Sequence, residues 1–181
     1  MKKKKIIMSC AYILVCLIVY AAIFWAVACL VLGYYAKEKV FTKQGCMLAL
    51  TNDFMEGEKE NYTAYYYSKD LAVTTLKVPF EGFLAEWDAK NKSAKEYAEL
   101  MQVEYAKTYS TSEVCEDNDL LYFVVEYATK AKGTNICLVS IYKSEDAFWQ
   151  VSFACREKQY KELEQTIFEY AQSVCLEGVA K

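Results

Sequence analysis

The chain has 181 residues, 55% of them hydrophobic, with 21 basic and 24 acidic side chains and a formal charge of −3. That length suits one domain with an appendage. With the four lysines at positions 2–5 set aside, 17 basic residues stand against 24 acidic ones, a balance that argues against a nucleic-acid partner, which needs a basic surface to replace counterions.

Residues 1–5 form a basic tail, and residues 6–35 run thirty positions without a formal charge. A spanning helix needs about 20 apolar residues, so 6–35 is expected to be a transmembrane helix with the lipid bilayer as its partner. A helix is the one conformation in which a single segment pairs all its backbone groups in lipid. Tyr34 and Tyr35 stand at its end, where amphipathic rings suit the headgroup level. Lys2 to Lys5 precede the run, whereas only Lys37 and Lys39 follow closely, with Glu38 between them. This bias predicts a single-pass protein of the cell membrane, with a cytoplasmic N-terminus and the domain outside. Ala26-Val27-Ala28 matches a small-x-small cleavage site, and Cys29 after it makes a lipobox-like stretch, so lipidation at Cys29 and simple cleavage with secretion are the alternatives. The apolar run before that site exceeds a usual signal core and continues through Leu30, Val31 and Leu32, which favours an uncleaved anchor.

Residues 36–44 are expected to be a polar linker and 45–177 the domain, with 178–181 a tail. A strand is expected over 45–50, a charged loop over 52–61, and a hairpin from strands 62–67 and 71–78, turning at Ser68-Lys69-Asp70 and ending at Pro79. Alternation there sends Tyr65 and Tyr67 to one face and Tyr62 and Tyr66 to the other. Residues 80–91 are ambiguous: Phe80, Phe83, Leu84 and Trp87 have helical spacing, but Gly82 interrupts it. Ser93-Ala94-Lys95-Glu96 reads as a capping box that opens a helix ending near residue 107, with Ala94, Tyr97, Ala98, Met101 and Tyr105 on one face. A weak strand over 111–116 and a turn at 117–119 lead to a strand over 120–129. That strand is apolar on both alternating sets, as in a central strand covered on both faces. Lys132-Gly133 turns the chain into a hairpin of 135–142 and 148–155. A helix from 157 to about 176 follows, with Tyr160, Leu163, Ile167, Tyr170, Ala171 and Val174 inward and Gly178 as its stop. The fold class is α+β, an antiparallel sheet flanked by helices in an α/β/α sandwich.

The tyrosine hairpin with Tyr65-Tyr66-Tyr67 and Ser68-Lys69-Asp70, the capped helix with Glu96-Tyr97-Ala98, the run Phe148-Trp149-Gln150-Val151-Ser152-Phe153 and the closing amphipathic helix together resemble the PsbP-like fold, over residues 45–176. Photosystem extrinsic subunits, bacterial periplasmic lipoproteins and a eukaryotic import factor share that fold. The resemblance implies a non-enzymatic binding or assembly role, and it carries no binding residue onto this chain.

There is no histidine, which removes the commonest metal ligand and the commonest general base. Of eight cysteines, five lie beyond the apolar run (Cys46, Cys115, Cys137, Cys155 and Cys175), and none forms a C-x-x-C pair. Small buried hydrophobes account for them. Cys137 and Cys155 are the one candidate disulfide, if their hairpin sets them opposite on one face. Glu116, Asp117 and Asp119 are acidic but lack the spacing of a calcium loop. Tyr62, Tyr65, Tyr66 and Tyr67 suit a sugar or peptide surface, although sheet packing explains them as well. Asn61-Tyr62-Thr63 and Asn91-Lys92-Ser93 match the glycosylation sequon. No nucleophile elbow, S-x-x-K or P-loop is present. The expectation is a membrane-tethered binding or scaffolding domain with an envelope protein partner, neither enzyme nor metal nor cofactor protein. A tethered hydrolase with a carboxylate or serine site, and an accessory subunit acting through its helix, are the alternatives.

Overall fold

A computed structural model describes residues 2–81, 87–129 and 133–177, with side chains from residue 17 onward. Phe83, Leu84, Lys132 and Gly178 lie outside the described residues. The chain divides into two compact units, residues 1–38 with 51–53, and residues 39–50 with 54–181.

The first unit is built on α1 (Lys2–Tyr35). The expected basic tail is therefore the first turn of this helix from Lys2 onward. Its stretch Leu17–Tyr35 has a mean hydropathy of 2.3 and spans about 28 Å at ~1.5 Å per residue. Phe24 and Trp25 are 77% and 72% exposed. So large an exposed apolar surface calls for lipid or another protein.

The second unit opens within β1 (Glu38–Lys43), so most of the polar linker expected over residues 36–44 is a strand. Only Phe41 of that strand is buried, too little alternation to read as a strand. Gln44 and Gly45, both at positive φ, form the two-residue turn to β2 (Cys46–Thr51). An eight-stranded sheet follows, built from β3 (Met55–Gly57), β4 (Ala64–Tyr67), β5 (Ala72–Pro79), β6 (Ser110–Thr111), β7 (Cys115–Asp117), β8 (Leu120–Thr129), β9 (Gly133–Lys143) and β10 (Ala147–Arg156). Its order is β3-β4-β5-β10-β9-β8-β6, with β7 also on β8. Every pairing is antiparallel.

The innermost strand is β10, not β8 as expected, since only the short β6 and β7 lie beyond β8. Apolarity on both sides reports coverage, which β8 has. Tyr122 meets Phe168 of α3 (Glu157–Gln172) edge-on at 5.0 Å, and Phe123 meets Tyr105 of α2 (Ala94–Ala106) at 5.6 Å. Two cores result. Ile167 and Ala171 of α3, with Leu48 and Leu50 of β2, cover Leu138, Trp149, Val151 and Phe153. Tyr97 and Ala98 of α2 cover Phe123, Val139, Ile141 and Phe148. One flanking layer is thus helix plus a small sheet of β1, β2 and β11 (Cys175–Leu176).

α3 stops at Gln172, short of the expected 176. Ser173 Oγ accepts the Ala49 N–H at 3.1 Å and donates to Tyr170 O at 2.7 Å. The hydroxyl closes the helix and ties it to β2, and the chain then turns into β11.

The hairpin register refutes the suggested disulfide. Cys137 lies opposite Ala154 and Cys155 opposite Ile136, one position out of step, so the two thiols point to opposite faces. Cys155 joins the core under α3 and Cys137 the core under α2; both are free. Alkylation of the unreduced, denatured protein is therefore expected to label both, and a peptide joining them in the mass spectrum would refute this register.

Burial also sets an alkaline limit. It is the largest cause raising Tyr66, Tyr105 and Tyr160 to about 12 from an ordinary 10.0. It likewise raises Cys46 to about 12 and Cys155 to about 11 from 9.0. The native state keeps these protons where the unfolded chain releases them. Their contribution is full below about pH 9 and is lost as pH climbs through the folded values. The melting temperature should hold between about pH 7 and 9 and fall progressively above; an unchanged melt at about pH 11 would contradict it.

Candidate functional site

A cleft of about 670 Å³ opens where the ends of several elements meet. Ligand sites usually measure about 300–1,000 Å³. Its apolar floor comes from Leu120 and Leu121 of β8, Ile141 of β9, and Val174 and Leu176 around β11. Lys95, Glu116, Asp119 and Lys143 supply charge, and Cys175 a thiol.

Each wall has a local cause. The capping box read from the sequence starts α2: Ser93 Oγ accepts the Glu96 N–H at 3.1 Å and Glu96 Oε2 accepts the Ser93 N–H at 2.8 Å. The Ser93 backbone bond, then the Lys92 and Ser93 side chains, hold the Glu96 carboxyl down at about 2. Ser93→Ala should lower stability by about 1 kcal/mol, measured as the urea midpoint at neutral pH. It should also erode the carboxylate's contribution, present above about pH 4 and lost towards about pH 2. An unchanged midpoint would mean that the box does not form.

Across the cleft, Asn118 and Asp119, at φ 48° and 63°, make the two-residue turn between β7 and β8. At the end of β9, Tyr142 Oη donates to Ala171 O at 2.6 Å, and burial raises its pKa. Lys143 Nζ donates to Lys90 O at 2.8 Å and Lys92 O at 2.6 Å, leaving one N–H of three. These polar groups are engaged with main chain, and Ser93 is engaged in its cap. The cleft therefore offers an apolar floor and a charged rim.

The structure divides the residues singled out from sequence. Glu116 and Asp119 border the cleft, while Asp117 borders a separate hollow with Lys161 and Glu164. Among the described residues no three histidine, cysteine or acidic side chains gather to hold a metal. Cys29 lies exposed in α1. Asn61 is exposed in a turn and Asn91 at the end of a short 3-10 helix (Ala89–Asn91), and Asn91 Nδ2 donates to Asp88 at 3.0 Å. Tyr66 enters the core against Phe41, ring centres 4.8 Å apart, while Tyr65 stacks on Tyr67 on the other face at 5.5 Å. Tyr62 departs from the expected alternation. β4 begins only at Ala64, and the Tyr62 N–H bonds back to Lys59 O at 3.3 Å. Lys59 Nζ then stands over both Tyr62 and Tyr65, at 4.5 and 5.6 Å from the ring centres. Lys143 and the joint between α3 and β11 were missed; no motif marks them, because their partners are distant in sequence.

No family model matches the chain, and no curated protein matches it. Solved structures do. The solution structure of cyanobacterial PsbP (CyanoP) from Synechocystis sp. PCC 6803 is similar at a TM-score of 0.50 and 10% identity, covering 78% of this chain and 93% of that one. LpqN of Mycobacterium tuberculosis, described as involved in cell envelope biogenesis, is similar at a TM-score of 0.47 and 9% identity, over 77% of this chain and 90% of its own. A protein from Bacteroides thetaiotaomicron VPI-5482 gives 0.45 and 12%, over 81% and 51%. The α+β domain that follows α1 has the PsbP-like fold.

Proposed function

We propose that the protein is a single-pass membrane protein that displays its PsbP-like domain on the outer face and acts by binding a ligand or an envelope protein, without catalysis. The observation that carries this reading is α1, whose stretch Leu17–Tyr35 is apolar, long enough to span and unburied within the chain. The orientation rests on Lys2 to Lys5, against Lys37 and Lys39 on the other side. Binding at the cleft is supported by its apolar floor and by Tyr142 and Lys143, which are engaged with main-chain carbonyls rather than poised as acid or base.

Protease treatment of intact cells, compared with lysed cells by mass spectrometry, tests the orientation: cutting of the domain on intact cells is expected, and protection until lysis would overturn it. Recovery from mild detergent tests the role. A stoichiometric protein or a retained small molecule is expected, lost when Leu121→Arg places charge in the cleft floor. Recovery of neither would refute the binding role.

A further inference from the structure

A second hollow, of about 410 Å³, lies at the β3 edge of the sheet, lined by Glu56, Glu58, Lys59, Glu60, Tyr62 and Tyr65 among others. Aromatic faces attract cations because the ring quadrupole is negative above the plane. Here the chain supplies its own test ion. Lys59 Nζ lies 4.5 Å from the centre of Tyr62 and 5.6 Å from that of Tyr65. Glu58 and Glu60 flank Lys59 in sequence, yet among the described residues it makes no ion pair, and the neighbouring Lys43–Glu56 pair is closed at 3.0 Å. The ammonium has settled on the rings.

The platform is held in place. Tyr65 stacks on Tyr67 with planes 21° apart, and both rings lie over Gly57, where an added Cβ would come within 3.1 Å of each. Tyr62 is 39% exposed, so its ring is reachable. Two ring faces beside carboxylates, that of Tyr65 held by its neighbours and that of Tyr62 open to solvent, match a cation that is large, weakly hydrated and permanently charged.

We propose that this hollow is a binding site for a quaternary ammonium group, occupied at rest by Lys59. The site is separate from the cleft and does not depend on the orientation of the chain in a membrane. A lipid headgroup or a soluble compound would present the same chemistry.

The test is saturation-transfer NMR on the methyl protons of choline, using the full chain in a non-ionic, choline-free detergent. Weak transfer is expected for the wild type, affinity several-fold higher for Lys59→Ala, and none for Tyr62→Ala, each variant being checked for an unchanged thermal melt. Absence of transfer in both wild type and Lys59→Ala would overturn the proposal, as would a signal that Tyr62→Ala leaves intact. Repeating the titration in phosphatidylcholine and phosphatidylglycerol nanodiscs separates the sources. Loss of the choline signal only in phosphatidylcholine assigns the site to a headgroup, and persistence in both assigns it to a soluble cation.

Discussion

Phe148→Ala is expected to destabilise the domain by about 3–5 kcal/mol, the range for emptying a buried aromatic position. Phe148 is fully buried on β10, paired with Val78 of β5 and Lys143 of β9. Its ring stacks on Tyr97 of α2 with centres 4.2 Å and planes 2° apart, meets Phe80 edge-on at 5.1 Å and approaches Trp87 at 6.2 Å. Removing it leaves a void that rigid aromatic walls cannot close, and it also forfeits aromatic pairing worth about 0.5–1.5 kcal/mol. Domains of this size are stable by only about 5–15 kcal/mol, so the variant should unfold at a much lower urea concentration in the near-ultraviolet circular dichroism of the detergent-solubilised chain. Val103→Ala, at a site 55% exposed on α2, should stay within about 0.5 kcal/mol. A loss below about 1 kcal/mol for Phe148→Ala would mean that α2 does not pack on this face.

The contrast between those positions marks what sequence can carry. Local periodicity gave the two domain helices and the long strands, because each has an inward face that repeats: Ile167 and Ala171 on α3, Tyr97 and Ala98 on α2. The capping box was legible because its partners are three residues apart. β1 was not, since Phe41 is its single buried residue. β11 was hidden inside a continuing helical pattern that Ser173 interrupts by bonding Ala49, 124 positions away. The cysteine pair failed on parity: a one-residue difference in register moves a side chain to the other face. Tyr62 failed because alternation was extended past the true start of β4. The candidate cleft was illegible for a stronger reason. The start of α2, the turn before β8, the end of β9 and the α3–β11 joint meet only in the folded chain, and none carries a motif of its own.

The apolar helix α1 is the opposite case, a property of one uninterrupted segment, and its removal should have the largest effect on where the protein resides. The full chain is expected to stay in the membrane pellet through an alkaline carbonate wash, whereas a chain lacking residues 2–35 should appear in the supernatant. Leu17–Tyr35 carries no formal charge and none of it is buried in the chain. A helix of this length and apolarity suits the lipid core, because it pairs the backbone groups along the segment internally. The remaining domain carries an excess of acidic residues and has no comparable apolar stretch among its described residues. Carbonate extraction of the full chain would remove the spanning reading, and continued pelleting of the truncated chain would locate a second membrane contact on the domain. The lysines give the finer test. Replacing Lys2 to Lys5 with glutamine leaves Lys37 and Lys39 as the nearest positive side chains to the apolar run, so a fraction of the molecules should insert inverted, with the domain shielded from protease on intact cells. If every molecule kept its orientation, the charge bias would not be what sets the topology, and folding of the domain after translocation would have to hold it in place.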